Sequence, residues 1–268
     1  MALIGRTRAR GVEFLSLDST ATRNALSSVL VGALSAALTD CARDDAVRAV
    51  VLTHTGTTFC AGADLRDPPD PDAFTGLLRQ LVELPKPVVA RVTGHVRAGG
   101  LGLLAACDIA AGGDGATFAF TEVRIGVAPA VISLPLLPRT DPRALARYYL
   151  TGERFGAAEA ARIGLLTVAA PAGGTGADAD GGSDAVAAPD TDPYAALDAV
   201  LEPVLDGLRR SAPEALAETK RLLTARVLES FDRDAALLTA LSARLFASPQ
   251  AREGMTAFLE RRDPAWVL

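Results

Sequence analysis

The chain has 268 residues, 49% of them hydrophobic, and a mean hydropathy of +0.24. That is enough apolar material for one large domain, or a core with an accessory region, and it excludes global disorder. A formal net charge of −5 leaves no electrostatic footprint for nucleic acid. No apolar run approaches the roughly 20 residues of a membrane span, so no membrane partner is expected.

In chain order, Val12–Leu17 reads as an early strand, Leu26–Leu38 as an apolar-faced helix and Val47–Thr53 as a buried strand. The stretch 67–72, DPPDPD, reads as an exposed loop because its prolines oppose helix and interior strand. Ala73–Leu84 follows as a helix, Pro87–Thr93 as a strand, then a glycine turn and a short apolar helix ending near Ala106. Short strands fit Asp108–Ala111 and Thr117–Phe120. Asp141-Pro142 is a helix start, with a capping acid and proline at the first helical position. Repeated strand, turn and helix units predict an α/β fold.

Residues 171–193, mostly Ala, Gly, Asp and Pro, lack apolar periodicity and read as a flexible insertion. The division expected is therefore 1–170, a core; 171–193, the insertion; and 194–268, a helical region. Helices are predicted there over Tyr194–Arg209, Pro213–Glu229, Asp232–Phe246 and Gln250–Arg261. The N-terminal ten residues carry arginines without a following apolar stretch, so no secretory signal is expected. Three cysteines, Cys41, Cys60 and Cys107, form no close pair, which fits a reducing cytoplasm. With two histidines, His54 and His95, and no metal-binding spacing, no protein metal site is expected.

Two small-residue segments carry the chemistry. Phe59-Cys60-Ala61-Gly62-Ala63-Asp64-Leu65 and Ala98-Gly99-Gly100-Leu101-Gly102 each follow a strand-like run. Backbone N–H groups converging from two such turns can hold a thioester oxygen as it becomes an enolate. Gly99 opens a helix, where the positive helix end favours developing negative charge. Glu122 follows among apolar residues Phe118–Ile125, a setting that raises a carboxyl pKa and suits proton transfer.

The ordered set Arg23-Asn24-Ala25-Leu26-Ser27, FCAGADL (59–65), Lys86-Pro87-Val88, GHVRAGGLGLLAACDIA (94–110) and FAFTEVRIG (118–126) resembles the crotonase superfamily, the enoyl-CoA hydratase/isomerase fold. LTGERF (150–155), Ala158–Leu165 and EGMTAFLERRDPAW (253–266) extend the likeness over the whole chain except 171–193. The resemblance implies a superhelical core of ββα turns, a C-terminal helical assembly region, and a homotrimer or dimer of trimers. It implies a coenzyme A thioester as substrate and no other cofactor. Ala63 and Gly99 match the oxyanion-hole residues, and Glu122 matches the second of two family glutamates. Arg23, Ala25, Leu26, Ala61, Asp64 and Leu65 match coenzyme A contacts, completed by Phe258 and Arg261 of the last helix.

The first family glutamate falls at Gly102, so the usual two-carboxylate grip on water is absent. Asp67, Asp70, Asp72, His95 and Ser133 are the other candidate water-holding groups, while His54 reads as a strand-end surface or hinge residue. Hydration of a 2-enoyl-CoA is the expected reaction. The alternatives are isomerisation or decarboxylation through the same enolate, or silent coenzyme A binding. Gly100-Leu101-Gly102-Leu103-Leu104-Ala105 also matches a dinucleotide-binding turn, but the strand-like run at Asp108 leaves little room for the crossover helix.

Overall fold

The apolar runs become parallel strands in the computed structural model, which describes residues 3–171 and 194–268. The flexible insertion expected over 171–193 lies, Pro171 apart, outside the described residues. Strands β1 (Ile4–Ala9) and β2 (Val12–Leu17) form a hairpin, and α1 (Ser28–Arg43) starts where the Ser27 hydroxyl accepts from Leu30 N–H. Three units then repeat one pattern. They are β3 (Ala49–His54), β4 (Thr58–Cys60) and α2 (Pro71–Glu83); β5 (Val88–Val92), β6 (His95–Arg97) and α3 (Gly99–Ala106); and β7 (Ile109–Gly112) with β8 (Thr117–Ala119). After them come α4 (Ser133–Leu136), α5 (Pro142–Thr151), β9 (Phe155–Gly156), α6 (Ala157–Arg162) and β10 (Val168–Ala169).

The first strand of each unit enters a six-stranded sheet ordered β1-β2-β3-β5-β7-β10, parallel from β2 onward. The second enters a smaller sheet ordered β4-β6-β8-β9. This is the ββα superhelix that the resemblance implies. Both faces of the large sheet are covered, which is why its strands read as continuous apolar runs. Val50 and Leu52 face the main core with Leu34, Leu77 and Leu101, while Val51 and Val89 face the leucines of α7 (Ala195–Arg210). Its Leu197, Leu201 and Leu205 are spaced one helical turn apart, so one stripe meets the sheet.

Two expectations are corrected. Helices over Pro213–Glu229 and Asp232–Phe246 are one helix, α8 (Pro213–Phe246). Phe231-Asp232 resembles a helix start, but the buried stripe Lys220, Thr224, Val227, Phe231 continues through it in register, and Asp232 pairs outward with Arg79 at 2.7 Å. The 67–72 loop is shorter than read: α2 begins at Pro71, and Asp70 caps it by accepting from Asp72 and Ala73 N–H. The last helix is α9 (Pro249–Glu260), seated on the 3-10 turn Glu122–Ile125. A Cβ at Gly254 would lie 2.5 Å from the Ile125 carbonyl carbon, so only glycine permits that contact.

A buried ion pair pins α8 to the core. Lys220 Nζ lies 2.7 Å from Asp108 Oδ2 and also donates to the Leu81 and Lys86 carbonyls, while Asp108 accepts from Val88 N–H. Burial pushes the Asp108 carboxyl up and the Lys220 ammonium down, each toward neutrality. Lys220→Met leaves Asp108 buried without its cation, and is expected to lower stability by about 3–5 kcal/mol. Thermal unfolding reads this directly; an unchanged Tm would refute the assignment.

Candidate active site

The two small-residue segments abut. Residues 23–26 and 61–64 run parallel, with Ala61 N–H donating to Arg23 O, Leu26 N–H to Gly62 O and Asp64 N–H to Leu26 O. Buried Asn24, at φ 54°, anchors this run by donating to the Thr55 and Thr58 carbonyls. Asn tolerates that left-handed backbone better than most residues. Gly62, at φ 94°, would bring a Cβ within 3.0 Å of Ala98 Cβ. Glycine there is what lets the first segment reach the second.

Ala98 itself lies at φ 46° and ψ −117°, a strained position for a non-glycine residue at the entry to α3. Its N–H donates to Ala119 O, and Leu101 N–H returns to Ala98 O. Among the described residues this pattern of bonds uses neither Ala63 N–H nor Gly99 N–H. Gly99 is the first residue of α3, where an amide has no intrahelical acceptor.

Glu122 opens the 3-10 turn that Gly126, at φ 76°, terminates. It is 7% exposed, and its Oε2 is buried with no hydrogen-bond partner among the described residues. Burial pushes its pKa up to about 8, so the carboxyl is largely neutral at pH 7. Arg124 does not pair with it; its Nε donates instead to the Thr151 carbonyl.

These groups line one cavity of about 900 Å³, walled by the two segments, by 121–132 and by α8 and α9. Of the residues singled out in the sequence, Arg23, Leu26, Ala61, Ala63, Leu65, Gly99, Glu122 and Phe258 are on its wall. Ala25, Asp64 and Arg261 are not; Asp64 accepts from Arg66 N–H, and Arg261 ends α9 at φ 56°. Arg262 is on the wall, but its guanidinium pairs with Glu253 and Glu260.

Gly102 is enclosed. A Cβ there would lie 2.6 Å from Ile132 Cγ2 and 3.3 Å from Leu78 Cδ1, so Ile132 fills the direction in which a side chain at 102 would leave. Gly100 likewise packs against Cys60, at 2.7 Å from its Cβ. Close packing accounts for both glycines. None of Asp67, Asp70 and Asp72 lines the cavity; Asp67 accepts from Ser28 and Asp70 caps α2. Ser133 donates to Pro129 O behind the wall, and His95, which is on the wall, bonds Thr117 Oγ1 at 2.8 Å. His54 is corrected: it is 4% exposed, packed on Phe59 and bonded to Thr93, and burial holds its pKa down at about 4.

Sequence reading missed Ile132, Arg97, Arg124 and Arg154. Ile132 meets Gly102 only through tertiary contact. Among the described residues the wall carries five arginines (23, 97, 124, 154 and 262) and one acid, Glu122, in a protein of net charge −5. An anionic ligand fits such a cavity better than a neutral one.

Glycine-built amide donors beside a buried acid, on a ββα superhelix, define a class of fold and site, and comparison with known proteins gives it a family. The enoyl-CoA hydratase/isomerase family model matches residues 7–174. The chain belongs to that family, within the crotonase superfamily. A Thermus thermophilus relative, assigned as an enoyl-CoA hydratase, is 31% identical over 94% of this chain and 96% of its own. The 2,3-dehydroadipyl-CoA hydratase of Escherichia coli is 27% identical over 96% of each chain. The crystal structure of an enoyl-CoA hydratase from Mycobacterium avium matches with a TM-score of 0.84 and 47% identity over 100% of both chains.

Proposed function

We propose that this protein reversibly hydrates a 2-enoyl-CoA to a 3-hydroxyacyl-CoA. The observation that carries the reading is Glu122: one buried, neutral carboxyl with an unpartnered oxygen, in the same cavity as the unused N–H groups of Ala63 and Gly99. Those two N–H groups hold the thioester oxygen as negative charge develops on it, each worth roughly 3–4 kcal/mol of barrier. Glu122 gives its proton to the α carbon. Water forms the new bond to the β carbon and returns a proton to the Glu122 carboxylate, so one acid closes the cycle.

The coenzyme A part lies along Arg23, Leu26, Ala61 and Leu65, with Phe258 of the last helix on the same cavity wall. A homotrimer or dimer of trimers in the cytoplasm fits this reading. It would cover Leu222, Leu237 and Phe258, which are 80%, 68% and 58% exposed. The chain's own groups carry every proton transfer, and the thioester is substrate rather than cofactor.

A second reading has one specific observation in its favour. Ile132 over Gly102 leaves a single carboxyl, and moving a double bond needs one group that removes and returns a proton. Mass-resolved turnover of short and branched 2-enoyl-CoAs, with a 3-enoyl-CoA alongside, separates the two. Gain of water on the 2-enoyl substrates supports hydration. Double-bond movement without water makes the protein an isomerase, and neither reaction sinks both readings.

A further inference from the structure

Two cations, Arg97 and Arg154, share a cavity wall on which Glu122 is the one acid among the described residues. Arg97 on β6 pairs in register with Ala119 on β8. The β8–β9 register sets Phe118 opposite Phe155, and Arg154 is the residue just before β9. Arg154 therefore leaves the sheet edge near Ala119, the cross-strand partner of Arg97. All three line the cavity. The methyl group of Ala119 is too short to screen the two guanidinium groups from each other.

Arg97 is held in place by neutral groups alone. Its Nη1 donates to Thr117 O at 2.7 Å and Val96 O at 3.0 Å, and its Nη2 to Thr117 Oγ1 at 2.8 Å. Neither Arg97 nor Arg154 forms an ion pair among the described residues. Arg124, braced on the Thr151 carbonyl, adds a third cation to the same wall. Burial, and then repulsion from Arg154, brings the Arg97 pKa down to about 10. Arg91, by contrast, takes Asp198 in two bonds of 2.6 Å. A partly desolvated guanidinium without an anion carries a desolvation cost that an anionic ligand would offset.

We propose that Arg97 and Arg154 form an oxyanion subsite that grips a carboxylate or phosphate of the ligand seated in the cavity. A planar guanidinium presents paired donors to two oxygens, and two of them across a gap clamp one anionic group from both sides. The subsite lies next to the reacting centre, because Arg97 is two residues before Gly99 and Ala119 three before Glu122. It deepens the thioester reading and rests on it for the ligand. Two sources supply the chemistry: a carboxylate at the far end of the acyl chain, or a phosphate of coenzyme A.

The test uses the full-length protein with Arg154→Ala and Arg97→Gln, each checked for a wild-type Tm. In the first arm, kcat/KM is compared for 2-enoyl-CoAs of equal length ending in a carboxylate or a methyl group. An acyl-end subsite gives a preference for the carboxylate of roughly tenfold to a hundredfold. That preference vanishes in both variants through KM, with kcat retained. In the second, Kd for coenzyme A is compared with that for 3′-dephospho-coenzyme A; a phosphate subsite gives a difference that both variants erase. The third titrates inorganic pyrophosphate calorimetrically and needs no thioester. Weaker binding in both variants supports the subsite even if no enoyl-CoA is turned over, which would count against the hydratase reading alone. Variants that match wild type in all three arms overturn the proposal.

Discussion

Glu122→Gln is expected to lower kcat for 2-enoyl-CoA hydration by roughly 10²–10⁴-fold while leaving the Kd for the acyl-CoA product within about twofold. Glutamine keeps the shape of the side chain and the wall of the cavity, but has no proton to give. Retained turnover would refute the role assigned to Glu122. The same residue sets two pH dependences of defined sign. Hydration needs the protonated form, so kcat/KM in that direction falls as pH rises through about 8, and the dehydration limb rises over the same range. For stability, a carboxyl with a folded pKa above its unfolded value costs nothing below the unfolded pKa. It then removes stability progressively as pH climbs from about 4.5 to about 8. Glu122→Gln therefore raises Tm relative to wild type at pH 8.5 and leaves it close to wild type at pH 4. A Tm difference that is flat across this range would show that Glu122 is not buried neutral.

Gly102→Glu, which would reinstate the missing family carboxylate, is expected to unfold the site rather than improve it. Its Cβ alone meets Ile132 Cγ2 at 2.6 Å and Leu78 Cδ1 at 3.3 Å in a fully packed region. Overpacking of this kind costs about 1–3 kcal/mol, and a buried carboxyl without hydrogen bonds adds a further 1–3 kcal/mol. Hydration should fall with Tm. Adding Ile132→Ala opens the obstructed direction, and the double variant should recover at least about 1 kcal/mol relative to the sum of the single effects. Strict additivity, or a Gly102→Glu protein with wild-type Tm, would show that Ile132 does not hold this position closed.

Strands β2, β3, β5 and β7 are legible in the sequence for a simple reason. A parallel sheet covered on both faces needs apolar residues at nearly every position, so runs such as 49–52 stand out without periodicity. The three-residue strands β4 and β6 are not legible as strands, because they have no local pattern and pair only when successive turns stack. The continuous α8 was misread at Asp232, where a local capping signal competes with a buried stripe that only the partners α2 and α4 reveal.

For the site, the residue types pointed to the two small-residue segments and to Glu122, which are local signals, while Ala63 in particular came from the family resemblance. Sequence alone also determined the α/β class, while the family resemblance it carries implied the ββα core and the absence of the first family glutamate at Gly102. Tertiary structure decided the rest. It buried Glu122 in the 3-10 turn that α9 packs against, placed Ile132 over Gly102 from thirty residues away, moved Ala25, Asp64 and Arg261 off the wall, and brought Arg97 and Arg154 to one cavity wall. Each of these depends on residues distant in the chain meeting at van der Waals or hydrogen-bonding range. Desolvation, steric closure and charge repulsion act through such contacts, whereas the pattern along a strand or helix records only which face is apolar.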